Sequence, residues 1–107
     1  MAGFVDTMIA ESMRLPPWTW RAALDGFLGD DLTPQLSRLR MPILLAWGAR
    51  DGFVPLRDQE MLCANCPDAR LQAYAGTGHA THWEDPAGVA ADLLAFMGAA
   101  PLAPAEQ

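Results

Sequence analysis

Two short stretches of this 107-residue chain carry residue types that serve acid–base chemistry. The stretch GARDGFVP holds Asp51 between two glycines, and the stretch GTGHATHWEDP holds the chain's two histidines, His79 and His82. A carboxylate beside an imidazole accepts the Nδ1 proton, fixes the tautomer and stabilises the imidazolium that forms when Nε2 takes a proton from a nucleophile. Glycine lets such loops turn sharply without a Cβ clash. Asp51 with His79 is therefore a candidate acid–base pair.

The segments around these stretches indicate where the two loops lie. The apolar run 43–47 ends at Gly48 and is typical of a strand buried on both faces of a parallel sheet. Residues 57–66 show a helical pattern, and the segment RLQAYAG after them is typical of a second strand. This strand–helix–strand order is the unit of a parallel α/β sheet, whose ligand-facing edge is the carboxyl end of the strands. Both candidate loops leave from that edge.

The remaining pattern is helical. Residues 2–13 and 17–28 predict two helices separated by a pair of prolines, and a short helix begins near Thr33. In the second strand, Leu71, Ala73 and Ala75 alternate with Gln72 and Tyr74, which predicts that these two sets lie on opposite faces. A last helix, capped by Asp85 and opened by Pro86, is expected to bury four apolar side chains: Val89, Leu93, Leu94 and Met97.

The stretch LSRLRMPILLAWGARDGFVP, a helix, and then PDARLQAYAGTGHATHWEDP with a closing helix together resemble the C-terminal part of α/β-hydrolase fold enzymes. In that family W-G-x-x-D delivers the triad acid and G-x-G-H delivers the base, in the order nucleophile, acid, histidine. The resemblance implies that Asp51 is the acid and His79 the base. It covers residues 32–97, while residues 1–31 resemble the end of a helical cap. Residues 98–107 are expected to form a disordered tail.

The chain departs from the family pattern in one respect. The family's nucleophile lies on a G-x-S-x-G elbow, and this sequence has no such motif; its serines are Ser12 and Ser37. The resemblance then implies a hydrolase acting on an ester-type or related bond of a small-molecule substrate, without metal or organic cofactor. The nucleophile would come from a missing N-terminal portion or a second chain. The isolated chain is expected to be inactive.

A second interpretation is non-catalytic. A two-stranded sheet is marginal, and its first strand leaves an unpaired edge that can pair with another chain. On this interpretation the protein is a truncated hydrolase remnant that acts through an oligomer or a partner. Either way, we expect the isolated chain to self-associate or to be loosely folded.

The charge and the distribution of apolar residues argue against several classes of protein. Thirteen acidic against seven basic residues give a net charge of −6, which disfavours nucleic-acid binding and anionic membranes. No apolar run reaches the roughly 20 residues of a membrane helix, and the start MAGFVDTMIAESM lacks the features of a secretory signal. We therefore expect a cytoplasmic protein.

Structural roles and other kinds of site are also possible for these residues and for others in the chain. Asp51 before glycine is also a common turn residue, and His82 is expected to be structural. A metal site would use His79 and His82 with Glu84 or Asp85, but H-x-x-H in a loop has no fixed ligand face. The pair in CANC would suggest redox chemistry, yet it closes a helix instead of opening one. Three tryptophans are candidates for an apolar pocket or for ordinary packing: Trp18, Trp20 and Trp83.

Overall fold

The structure, a computed structural model, describes residues 2–99. The chain divides into two compact units, the first ending at Leu32 and the second beginning at Thr33. Within residues 2–99, none of the helices combines the length and apolar character that a membrane crossing requires.

The first unit consists of two helices, α1 (Ala2–Ser12) and α2 (Pro17–Gly29). The two prolines separate them as the sequence predicts: Pro16 is extended and Pro17 is the first residue of α2, where its missing N–H costs no helical hydrogen bond. The indole Nε1–H of Trp20 donates to the carbonyl oxygen of Ser12 at 3.1 Å, which ties α2 to the end of α1.

The second unit is built on a two-stranded parallel sheet. Strand β1 (Ile43–Gly48) pairs with β2 (Ala69–Tyr74), and helix α3 (Leu56–Asn65) connects them. A 3-10 helix (Thr33–Arg38) precedes β1 and contacts α3. After β2 come a short helix, α4 (Thr81–Glu84), and a long one, α5 (Pro86–Ala99), both of which contact β1. The predicted α/β architecture with a parallel two-stranded sheet and flanking helices is therefore confirmed.

Burial differs from the prediction in the strands. Strand β1 was expected to be buried on both faces, but its side chains are mostly half-buried and Ala46 is exposed. The faces of a parallel sheet are covered by the helices that pack on it, and the described helices leave the side chain of Ala46 exposed. In β2 the buried side chain is Tyr74, whereas Ala73 and Ala75 are exposed.

Helix α5 begins as predicted, because Asp85 Oδ1 accepts a hydrogen bond from the Gly88 N–H at 3.0 Å. The expected buried face is wrong, since Leu93, Leu94 and Met97 are exposed. The helix turns Asp92 and Phe96 toward the sheet instead. Asp92 accepts the hydroxyl hydrogen bond of Tyr74 at 2.7 Å, and the Arg70 guanidinium lies over the Phe96 ring. Helix α5 continues through Ala99, and residues 100–107 of the predicted tail lie outside the described residues.

Candidate active site

The acid-bearing loop follows β1 directly and folds around the Asp51 carboxylate. The Asp51 N–H donates to the Gly48 carbonyl at 3.0 Å, which forms a tight turn at the strand end. Asp51 Oδ1 then accepts the backbone N–H groups of Phe53 at 2.8 Å and Val54 at 3.1 Å. This is the local bonding that makes aspartate a preferred turn residue. The Trp47 indole N–H closes the loop by donating to the Val54 carbonyl at 2.8 Å.

The histidine-bearing loop follows β2 and is joined to the acid loop through the backbone. The Ala49 N–H donates to the Tyr74 carbonyl, and the Arg50 N–H donates to the Thr77 carbonyl, both at 2.9 Å. These bonds continue the pairing of β1 with β2 beyond the ends of both strands. The two loops therefore lie side by side, as the strand–helix–strand order predicts.

Gly48 is the point where the two loops approach most closely. A Cβ atom built on it would lie 2.6 Å from the Thr77 carbonyl oxygen and closer still to that of Gly78. Both atoms belong to the backbone, so rotation of a side chain cannot relieve the overlap. Gly48 has a negative φ, and the requirement for glycine is therefore one of space and not of backbone conformation.

Asp51 and His79 form a direct hydrogen bond in this arrangement. His79 Nδ1 lies 2.9 Å from Asp51 Oδ2, across 28 residues of sequence. Only 5% of the Asp51 side chain is exposed, compared with 59% of the His79 side chain. The edge of the Phe53 ring contacts the imidazole, with ring centroids 5.2 Å apart. The acid is thus shielded and satisfied, while the imidazole is open to other molecules.

The carboxylate of Asp51 favours its ionised form. Burial raises its pKa, but hydrogen bonds from His79 and from the backbone N–H groups of Phe53 and Val54 outweigh that effect, so the net pKa lies below the usual value of 3.8. An ionised acceptor holds the Nδ1 proton of a neutral imidazole and leaves Nε2 unprotonated, since one ring nitrogen's partner determines which nitrogen carries the proton. This is the state in which a histidine acts as a general base.

The other candidate residues do not join the Asp51–His79 pair. The His82 ring packs against the Trp83 ring at 4.9 Å, and Glu84 binds a backbone amide. No group of three or more metal-ligating side chains occurs within residues 2–99. Cys63 and Cys66 are unbridged at the end of α3, and Cys66 is buried.

Neither Trp18 nor Trp20 is buried; both are exposed in the first unit. A cavity of about 410 Å³ lies between the sheet and α5, lined in part by Leu44, Gln72 and Phe96. It lies away from the candidate site, because neither Asp51 nor His79 lines it.

Three sets of contacts that hold the site were not predicted from the sequence. They are the two backbone amides on Asp51, the Trp47 indole that closes the acid loop, and the Glu84 carboxylate on the backbone of the histidine loop. The first had a signal in the sequence, because aspartate before glycine favours this turn. Each of the other two joins a residue of a helix or strand to a loop residue six or seven positions away, and no periodic pattern encodes such contacts.

The sequence of this chain is similar to those of several known proteins. The chain is 41% identical over 54 residues to a 2-hydroxy-6-oxo-6-phenylhexa-2,4-dienoate hydrolase of Burkholderia cepacia, covering 50% of this chain and 19% of that protein. It is 32% identical over 76 residues to a 2-hydroxy-6-oxononadienedioate/2-hydroxy-6-oxononatrienedioate hydrolase of Comamonas testosteroni, covering 71% and 23%. It is also 43% identical over 79 residues to the polyketide synthase ThaQ of Burkholderia thailandensis, covering 69% and 4%.

The chain thus spans about a fifth of the length of the two hydrolases. A family model described as the alpha/beta hydrolase fold matches residues 4–86, which include most of the first unit, both strands and both candidate loops. The chain therefore belongs to the α/β-hydrolase fold family.

Proposed function

We propose that this chain carries the acid and base of a hydrolase, with His79 as the general base and Asp51 as its orienting partner. The observation that supports this most directly is the 2.9 Å contact between His79 Nδ1 and Asp51 Oδ2. The other carboxylate oxygen of Asp51, Oδ1, accepts hydrogen bonds from two backbone N–H groups, so the carboxylate cannot rotate away from His79 without breaking these bonds. A shielded acid that holds an accessible imidazole is the arrangement that base catalysis by histidine requires.

The chemical steps follow from this pair. Nε2 of His79 takes the proton of the nucleophile as that group attacks a substrate carbonyl carbon, and Asp51 stabilises the resulting imidazolium. The bond between the carbonyl carbon and the leaving group then breaks, and the leaving atom takes the proton from Nε2. A water molecule next attacks the acyl intermediate and gives its proton to Nε2. The bond between the acyl carbon and the nucleophile then breaks, the nucleophile takes that proton back from Nε2, and the acid product is released.

The nucleophile in this proposal belongs to residues outside the 107-residue sequence. Ser12 ends α1 and Ser37 lies in the 3-10 helix, so neither follows a strand in the manner of a nucleophile elbow. The small share of the hydrolase relatives that this chain covers agrees with such a division. The 107-residue chain alone should therefore neither react with a serine-directed fluorophosphonate probe nor hydrolyse a simple aryl ester. Saturable ester hydrolysis that is lost in His79→Ala would contradict this division.

The names of the relatives suggest the substrate class. One is named for 2-hydroxy-6-oxo-6-phenylhexa-2,4-dienoate and the other for 2-hydroxy-6-oxononadienedioate and 2-hydroxy-6-oxononatrienedioate, and all three are unsaturated ketones that bear carboxylate groups. We propose a small carbonyl compound of this general type, cleaved at an ester or at a carbon–carbon bond beside the carbonyl group. Phe53 is 81% exposed and touches the His79 ring, so it offers an apolar surface to such a molecule beside the base.

A chimeric enzyme tests the proposal. In the Burkholderia cepacia relative, the aligned segment is replaced by the matching segment of this chain, and turnover of 2-hydroxy-6-oxo-6-phenylhexa-2,4-dienoate is followed by its absorbance. We expect activity in the chimera, loss of activity in His79→Ala, and retained activity in the matched control His82→Ala. A folded chimera in which His79→Ala is as active as its parent would refute the proposed role.

The open edge of β1 supports a second, non-catalytic proposal, in which the chain pairs with a second copy of itself. The N–H groups of Ile43 and Ala49 point toward β2, where they donate to the carbonyls of Asp68 and Tyr74. Because backbone groups alternate along a strand, the N–H of Ala46 points away from β2, and β2 is the only described strand that pairs with β1. Such an edge is a template for another strand.

A proline substitution tests pairing through this edge. Ala46→Pro removes an outward N–H without removing a bond to β2, so it should convert a dimer seen by sedimentation into a monomer. Ala73→Pro is the matched control, because it blocks the outer edge of β2 instead. A wild-type chain that sediments as a monomer at all concentrations would refute the second proposal.

A further inference from the structure

Glu84 contacts the backbone immediately before His79. Both of its carboxylate oxygens accept a hydrogen bond from the Gly78 N–H, at 3.1 and 3.0 Å. Hydrogen bonds to an ionised acceptor are stronger than neutral ones. The side chain thus reaches back from the end of α4 to the residue that precedes the base.

A second contact from α4 holds the other side of the same residue. The Thr81 hydroxyl donates to the Gly78 carbonyl at 3.0 Å, and the Thr77 hydroxyl lies 3.2 Å from Thr81 Oγ1. Thr77 and Thr81 are both buried, with 6% and 4% of their surface exposed. The N–H and the C=O of Gly78 are therefore both held by side chains of α4.

The backbone after the base is fixed as well. The Ala80 carbonyl accepts hydrogen bonds from the N–H groups of Trp83 at 2.8 Å and Glu84 at 3.0 Å, which start the turn of α4. His79 thus stands between Gly78, whose two polar groups are held, and Ala80, which is tied to the helix. These contacts hold the backbone on both sides of His79 and with it the direction of the Cα–Cβ bond.

We propose that Glu84 is a positioning residue for His79, holding Gly78 so that the imidazole presents Nδ1 to Asp51 Oδ2. This rests on the proposed function, since it takes His79 to be the base. No proton passes through Glu84, and its effect is exerted through the backbone. A purely structural carboxylate that only stabilised α4 would alter thermal stability and leave the state of the imidazole unchanged.

The experiment is nitrogen NMR of the complete 107-residue chain labelled at histidine. The spectrum contains only two imidazoles, and His82→Gln assigns them. Nitrogen shifts report which ring nitrogen of neutral His79 carries the proton. We expect Glu84→Ala to lower the ratio of the Nδ1–H to the Nε2–H tautomer by about fivefold, the equivalent of one hydrogen bond of ordinary strength.

Matched variants separate positioning from stability. Glu84→Gln keeps an amide oxygen that can accept from Gly78, so it should retain the wild-type ratio. If Glu84→Ala does not fold, Glu84→Asp replaces it, because its carboxylate is one methylene too short to reach Gly78 and should lower the ratio similarly. Glu60→Ala, at an exposed position of α3, is the control and should leave the ratio unchanged.

Two results would overturn the proposal. One is a wild-type tautomer ratio in folded Glu84→Ala or Glu84→Asp, and the other is an equal loss in Glu84→Gln. Neither depends on catalysis, so the outcome is distinguishable from failure of the proposed function. A folded chimera in which His79→Ala is as active as its parent would refute the role of His79 as base and leave the tautomer comparison valid. If the chimera is active and the tautomer ratio of His79 is unchanged in folded Glu84→Ala, only the positioning role of Glu84 is refuted.

Discussion

Replacing Asp51 by asparagine tests the acid–base pair most sharply, because the structure dictates how the new amide must sit. Oδ1 of Asp51 accepts two backbone N–H groups, from Phe53 and Val54. In Asp51→Asn the amide oxygen has to take that place, since an NH2 group there would face two donors. The NH2 group then points at His79 Nδ1, which lies 2.9 Å from the other carboxylate oxygen.

This orientation of the amide reverses the tautomer of the His79 imidazole. With a donor opposite Nδ1, that nitrogen becomes the acceptor and the proton moves to Nε2, so the imidazole can no longer take a proton from a nucleophile. The equivalent substitution in serine hydrolases lowers turnover by about 10⁴-fold while the geometry is kept. We expect a loss of that order for Asp51→Asn in the chimeric hydrolase. In the isolated chain, nitrogen NMR should show His79 as the Nε2–H tautomer.

The assay is steady-state turnover of the chimera, with thermal melting to show that the variant is folded. Asp68→Asn, at an exposed position before β2, is the matched control and should retain wild-type turnover. Turnover of Asp51→Asn within tenfold of the parent would refute the reasoning. The lowered pKa of Asp51 adds a pH test, since the stabilisation from its ionised form is complete above the usual pKa of 3.8 and is lost as the pH falls through the lower pKa of the folded chain.

Two further predictions concern stability. Gly48→Ala should lower the free energy of unfolding in urea by about 2 kcal/mol, the usual cost of overpacking, because the new Cβ overlaps the Thr77 carbonyl oxygen. Gly52→Ala is the control, since the space around its Cβ is open. Equal stabilities of the two variants would contradict the reasoning. Burial and the hydrogen bond to Asp92 raise the pKa of Tyr74, the only tyrosine, to about 12. The stability that this contributes is complete below about pH 10 and lost as the pH rises toward 12, and phenolate absorbance should show no titration of the folded chain near pH 10.

The sequence was sufficient to predict the sheet and the meeting of Asp51 with His79. Two predicted strands that are joined by a helical segment can be arranged in few ways, and the parallel arrangement brings their carboxyl ends to one edge of the sheet. The 28 residues between acid and base are mostly the crossover, so their proximity follows from topology alone.

Burial and the supporting contacts could not be predicted in the same way. Helix α5 is apolar around most of its circumference, so its sequence does not decide which face meets the sheet. The contact of Tyr74 with Asp92 decides it, and that contact joins residues from two elements. Similarly, α4 was not predicted, because a helix of four residues has no period to detect. The role of Glu84 depends on that turn.

The backbone bonds that join the two loops have a consequence for how such enzymes can be recombined. The contacts described around Asp51 and His79 all come from one contiguous stretch, residues 47–84. An exchange of gene segments with boundaries outside that stretch would transfer Asp51 and His79 together with all the contacts described around them. Under the proposed function, the new host would still have to contribute the nucleophile and the substrate pocket. The match to a section of 79 residues in a polyketide synthase is the kind of relationship that such a transfer permits.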